Sequence, residues 1–149
     1  MSLGSLSSAT RPPLVGPVDL ALLSVRAGLA AVFIFHGGQK LFGLFGGQGM
    51  AQLVQNLGPV LGYLVAIGEF FGGLGLLVGF LSRFSAASLV VIMAGAIALV
   101  HGKNGFSAQG GGYEYNLALL TMALAILLAG PGRIAFTQLL PPAVRRFLA

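Results

Sequence analysis

Residues 60–81, VLGYLVAIGEFFGGLGLLVGFL, decide the fold because they form a run of 22 residues whose ionisable groups are Glu69 and the phenol of Tyr63. A helix of this length spans a bilayer core of about 30 Å at about 1.5 Å per residue. Glu69 falls near its middle, where a carboxylate is costly unless it is paired or protonated. Glycines on both sides of Glu69 let other helices approach closely. We therefore predict that this helix lies at the centre of a membrane bundle.

The composition of the whole chain also indicates a membrane protein. The 149 residues are 56% hydrophobic and 7% charged, whereas a soluble domain has about 25% charged residues. The net charge of +5 rests on eleven charged residues, so it bears on membrane topology and not on nucleic-acid binding. The chain has no cysteine, which excludes disulfides and thiolate metal sites.

Four apolar segments predict an all-α integral membrane protein with a four-helix transmembrane bundle in residues 18–132. Between the first two segments, Met50, Leu53, Val54 and Leu57 follow helical spacing, which predicts a short amphipathic interfacial helix in the first outer loop. Residues 1–17 predict a flexible N-terminal tail, and residues 133–149 an interfacial C-terminal tail. The four segments cover residues 18–35, 60–81, 84–100 and 115–129.

The basic residues outside the helices predict the orientation. Arginines 11, 83, 133, 145 and 146 fall on one side, whereas Lys40 and Lys103 fall on the other. The positive-inside rule then places both termini in the cytoplasm. His36, Lys40 and the loop after His101 therefore face the outside.

Arg26 in the first helix and Glu69 in the second fall at similar predicted depths, and we predict an ion pair between them. This pair would either hold the bundle together, or handle protons and polarise a ligand. In a third alternative the Arg26 side chain extends to the membrane surface and Glu69 is protonated.

Further polar residues converge on the outer mouth of the predicted bundle. His36, Gln39 and Lys40 continue the first helix, His101 ends the third, and Tyr113, Glu114, Tyr115 and Asn116 open the fourth. A polar mouth above an apolar cavity suits an amphipathic ligand such as a quinone, with which histidines exchange hydrogen bonds or protons. Alternatively, all these groups are interfacial anchors.

Our candidate catalytic residues are His36, His101 and Glu69. Our candidate ligand contacts are Arg26, Gln39, Lys40, Tyr113, Glu114 and Asn116.

Two metal-containing alternatives start from the same residues. His36 and His101 could ligate a haem axially, and together with Glu69 and Glu114 they could hold another metal. A carboxylate-bridged di-metal bundle needs more carboxylates and an ExxH pattern, which the sequence lacks. We predict no metal site, and quinone is the preferred cofactor.

Several short motifs, taken in order, resemble those of the DoxX family over about residues 20–133. They are RAG at 26–28, FIFHGGQKLF at 33–42, GP at 58–59, IGEFFGG at 67–73, His101 with NGF at 104–106, and GYEYN at 112–116. DoxX proteins are four-helix membrane proteins of bacteria and archaea. They are similar to the membrane subunit of archaeal thiosulfate:quinone oxidoreductase, and some are linked to membrane redox complexes.

The resemblance implies a multi-pass protein of the bacterial or archaeal cell (inner) membrane that serves as a quinone-linked redox subunit or anchors a redox partner. A second hypothesis is a non-enzymatic accessory or assembly subunit whose glycine faces bind another membrane protein or a second copy. A third is a transporter of small molecules or ions that uses the Arg26–Glu69 pair.

Overall fold

Six α-helices account for most of residues 15–148, the part of the chain that the computed structural model describes. The predicted flexible tail lies outside this part, apart from its last three residues. The helices are α1 (Pro17–Phe42), α2 (Gly49–Leu57), α3 (Pro59–Val78), α4 (Ser82–Ala96), α5 (Glu114–Ala129) and α6 (Pro142–Leu148).

Three of these helices are long and apolar enough to cross a membrane. They are α1, α3 and α4, the last of which continues through a π-helical turn and a 3₁₀ turn to give 23 residues, Ser82–Asn104. The fourth, α5, is apolar but has 16 residues. The predicted all-helical membrane bundle is confirmed at this level, as three long apolar helices and one shorter helix.

A close antiparallel contact between α1 and α3 organises the bundle. A Cβ atom added to Gly37 would lie 2.5 Å from the backbone nitrogen of Phe70, and one added to Gly73 would lie 2.9 Å from that of Ile34. Such small residues let two membrane helices touch along their backbones, where van der Waals contacts hold them together. Because these contacts leave no room for slippage, they fix the register of α1 against α3.

One apolar core joins the three long apolar helices and α5. Its fully buried side chains come from α1, α3, α4 and α5. The largest of them are Leu29, Phe33, Leu76, Leu89 and Ile126.

Arg26 lies at the end of the bundle that carries Arg83 and Arg133, which we call the arginine end. Its guanidinium is buried and donates to the carbonyl oxygens of Leu76 at 2.9 Å and Leu77 at 3.4 Å, the last turn of α3. It also donates to the carbonyls of Pro131 and Ile134 in the segment after α5. Arg26 thus satisfies helix-end carbonyls that would otherwise lack partners.

The predicted Arg26–Glu69 ion pair is therefore wrong. The register set by Gly37 places Arg26 beside Gly79, where an added Cβ would lie 2.9 Å from the guanidinium. Residue 79 is ten positions beyond Glu69, or about 15 Å along a helix. The prediction failed because it assumed that both helices start level with the membrane surface, whereas the first turns of α1 extend past the end of α3.

The predicted amphipathic helix is confirmed as α2, which contains Met50, Leu53, Val54 and Leu57. It packs on the start of α3, where the backbone of Leu53 and Val54 would lie 3.5 Å from a Cβ added to Gly62. Its position at the membrane surface stays a prediction.

Candidate functional site

Glu69 forms an ion pair with Lys40. The carboxylate comes from the middle of α3 and the ammonium from the last turns of α1. The Gly37–Phe70 contact brings the two backbones together next to this pair. The side chain of Glu69 is 4% exposed and that of Lys40 is 28% exposed. A charged partner lowers the cost of burying a carboxylate in such surroundings.

The ion pair lines a cavity of about 320 Å³, which we call the polar cavity. Its walls come from α1, α3, α4, α5 and the loop that precedes α5. The polar side chains in its lining include His36, Lys40, Glu69, His101 and Asn116. Among the apolar residues that complete it are Val32, Phe33, Met93 and Leu119. This volume lies at the lower end of the range for small-molecule sites, about 300–1,000 Å³.

The hydrogen bonds of His101 assign its tautomer. Its Nδ1 lies 2.8 Å from the carbonyl oxygen of Gly111, which can only accept, so Nδ1 carries the proton in the neutral ring. The other ring nitrogen, Nε2, is then the acceptor that a ligand can use. His101 is the last residue of the π-helical turn. Such a turn adds one residue and rotates the rest of the helix by about 100°, which sets the direction of this side chain.

His36 has the same tautomer for a similar reason. The amide nitrogen of Gln39 lies 3.4 Å from the carbonyl oxygen of Phe45, and this contact turns its Oε1 toward His36 Nδ1, 3.2 Å away. Nδ1 therefore donates to Oε1, and Nε2 is an acceptor. Gln39 thus orients His36 and does not itself line the polar cavity.

Asn116 contributes the amide group of the site. It is buried, and its Nδ2 donates to the sulfur of Met93 at 3.6 Å. A thioether is a weak acceptor. A ligand oxygen that replaced this sulfur would therefore form a stronger hydrogen bond with Asn116.

Four of the predicted ligand contacts lie outside the lining of the polar cavity. Arg26 is at the arginine end, and Gln39 stands behind His36. Tyr113 packs edge-on against Phe106, with ring centroids 5.5 Å apart. Glu114 accepts a hydrogen bond at 2.7 Å from the backbone nitrogen of residue 108. It fixes the loop that closes the cavity, since residue 108 is part of the lining.

Tyr115 and Met93 line the polar cavity but are not among our candidate site residues. The sequence placed Tyr115 at the outer mouth beside Asn116 without giving it a role in the site. Met93 looks like any other apolar residue of α4, and nothing in the sequence distinguishes it.

The four-residue metal site is not supported by the described part of the chain. Within residues 15–148, no three His, Asp or Glu side chains are grouped so that they could hold a metal ion. Glu114 is engaged with the loop instead.

Comparison with known proteins agrees with the motifs. A family model described as DoxX matches residues 21–102. This region contains most of α1, all of α2, α3 and α4, and the π-helical turn, and it includes His36, Lys40, Glu69 and His101. No curated protein and no solved structure matches the chain. Because the matched region covers more than half of the sequence, this membrane protein belongs to the DoxX family.

Proposed function

We propose that this protein is the membrane subunit of a quinone-linked oxidoreductase, and that the polar cavity binds the ring of a quinone or of a similar amphipathic molecule. The Lys40–Glu69 ion pair carries the proposal, because it places charged groups inside an apolar bundle at the wall of a cavity. Two histidines and an amide line the same cavity. Such a mixture of apolar walls and few polar groups is typical of sites for small organic ligands.

Each polar residue has a distinct proposed role. The Lys40 ammonium has three N–H donors, and one of them faces Glu69. Another donates to a ring oxygen of the ligand. Nε2 of His101 and of His36 accepts a proton from a ring hydroxyl when the ligand is in its reduced form. Glu69 holds the ammonium in place and balances its charge. A bound quinone would supply two-electron, two-proton chemistry, and a partner redox protein would exchange the electrons.

We also propose that α1, α3, α4 and α5 all cross the membrane, with both termini in the cytoplasm. The arginine end would then face the cytoplasm and the polar cavity would lie toward the outside of the cell membrane. The distribution of arginine and lysine supports this orientation.

Extraction of the purified protein with organic solvent tests the proposal. We expect a quinone to co-purify in a fixed ratio to the protein and to be identified by its mass. A visible spectrum of the same sample tests the haem alternative, since a Soret band would assign His36 and His101 to haem ligation. Protein that carries neither group and binds no added quinone would contradict the proposal.

A second candidate function is that of an accessory subunit that binds another membrane protein. An open apolar groove of about 710 Å³ between α3 and α4 supports this function. Small residues line part of it, namely Gly68, Gly72, Gly75, Ala87 and Ser88, and such residues favour helix packing in membranes. A partner that co-purifies in fixed ratio without any quinone would favour this function. The transport hypothesis used the Arg26–Glu69 pair, and in the structure these two residues have other partners.

A further inference from the structure

A second cavity, which we call the side cavity, adjoins the polar cavity. It measures about 400 Å³ and is bounded by α2, α3 and α4. Most of its wall is aliphatic, with residues that include Leu53, Leu57, Leu61, Leu64, Val65, Ile92 and Leu99. No charged group lies on that part of the wall, so it suits a hydrocarbon chain.

The two cavities meet at the ion pair. Lys40, Glu69, Met93, His101 and Asn116 line both of them. The hydrogen bond from Asn116 to Met93 joins two of these shared residues. A ligand whose polar group contacts Lys40 can therefore extend directly into the side cavity.

The far side of the side cavity opens where the helices face lipid. Leu64 of α3 is 63% exposed, Val91 of α4 is 72% exposed, and Leu99 of the π-helical turn is 69% exposed. In a membrane protein, such exposed aliphatic side chains are solvated by lipid chains. The cavity thus connects the hydrocarbon of the bilayer with the ion pair.

We infer that the side cavity holds the apolar chain of the ligand, and that the ligand enters sideways from the bilayer between α3 and α4. This inference rests on the proposed function, since it assigns the tail of the molecule whose ring occupies the polar cavity. The ligand class is then a quinone with an alkyl or isoprenoid chain. The side cavity would contribute affinity through burial of that chain, while the polar cavity recognises the ring.

Gly95 offers a way to block the side cavity without disturbing the bundle. It lines the side cavity and not the polar cavity. A Cβ atom added to it meets no atom within 4 Å. The Cβ of Gly95→Phe is therefore accommodated without a clash, and we expect its ring to occupy part of the side cavity. Gly110→Phe is a matched control, because Gly110 also faces open space and lines neither cavity.

The test compares two quinones with the same ring, one without a chain and one with a long isoprenoid chain, by equilibrium titration of protein in lipid nanodiscs. We expect Gly95→Phe to weaken binding of the long-chain quinone by about tenfold or more, the effect of leaving about two methylene groups unburied. Binding of the chainless quinone should stay at the wild-type level, which also shows that the variant is folded. Gly110→Phe should match the wild type for both.

Three results would overturn the inference in different ways. If Gly95→Phe binds the long-chain quinone as tightly as the wild type does, the side cavity belongs to a bilayer lipid or to nothing. If it weakens both quinones equally, the side cavity is no separate chain site. If the wild type binds neither quinone, the proposed function fails and the inference falls with it.

Discussion

Lys40 and Glu69 stabilise each other's charge within an apolar part of the bundle. While the pair is intact, the attraction between the two charges offsets part of the cost of burying the carboxylate. Removal of one partner leaves the other as an unpaired charge, whereas replacement of both by neutral groups removes the cost. The pair is therefore a coupled unit whose behaviour differs from that of two independent side chains.

Lys40→Met should destabilise the protein by about 3 kcal/mol, because Glu69 is then a buried charge that has lost its cationic partner. The double variant Lys40→Met/Glu69→Gln should recover most of this loss. Denaturant unfolding in detergent micelles measures both, with Lys103→Met, the same change at an exposed lysine, as the control. Equal losses from the single and the double variant would show that the two residues are not coupled.

Local signals in the sequence identified several residues that line the polar cavity. Glu69 stood out as a lone carboxylate in an apolar helix, and His36 and Lys40 share one helix face four residues apart. The sequence-based prediction paired Glu69 with Arg26, which is wrong. The depth of a side chain in the membrane depends on how far neighbouring helices are shifted along their axes. That offset results from the contact at Gly37, which one sequence does not reveal.

At the scale of the helices, the α1–α3 contact and the π-helical turn of α4 together place the polar groups. The first brings Lys40 to Glu69, and the second directs His101 at the end of an otherwise regular helix. The helices themselves were predictable, since long apolar runs and the amphipathic spacing of α2 are local signals. The π-helical turn was not, because no local pattern marks where a helix takes up an extra residue.

Gly37→Ala should destabilise the bundle by about 1–3 kcal/mol, because the new methyl group would lie 2.5 Å from the backbone of Phe70 and force the helices apart. Gly28→Ala is the matched control in the same helix. There the added atom lies 3.7 Å from the flexible end of Met122, an ordinary contact, and alanine favours a helix. Thermal unfolding compares the two variants, and a Gly37→Ala protein as stable as Gly28→Ala would refute the close packing.

At the scale of the whole molecule, the arginine end and the cavity end differ in chemistry. At the arginine end, guanidinium groups bind helix-end carbonyls, as Arg26 does at α3 and Arg83 does at α5. At the other end, polar side chains surround a cavity. Under the proposed function the cavity end is the ligand-binding side, and the orientation of the protein in the membrane decides where a ligand or partner meets it.

The absence of native cysteine makes the orientation directly measurable by labelling of single cysteines. We expect Gln109→Cys, in the loop before α5, to react in intact cells with a maleimide that cannot cross the membrane. Ala143→Cys, in α6, should react after permeabilisation only. Labelling of both from the outside would mean that α5 does not cross the membrane, and labelling of Ala143→Cys alone would invert the topology.

The most direct test of the central claim is the titration of a chainless quinone into the protein in nanodiscs, with the Glu69 carboxylate intact and replaced by an amide. The proposed site predicts saturable binding in a one-to-one ratio for the wild type. In Glu69→Gln the Lys40 ammonium loses the carboxylate that holds it against the ring oxygen, and we expect binding to weaken about tenfold or more, since a hydrogen bond to a charged group contributes about 1.5–3 kcal/mol. Asp19→Asn, the same change at the arginine end, should bind like the wild type. Absence of saturable binding, or equal affinity in all three proteins, would contradict a quinone site at the Lys40–Glu69 pair.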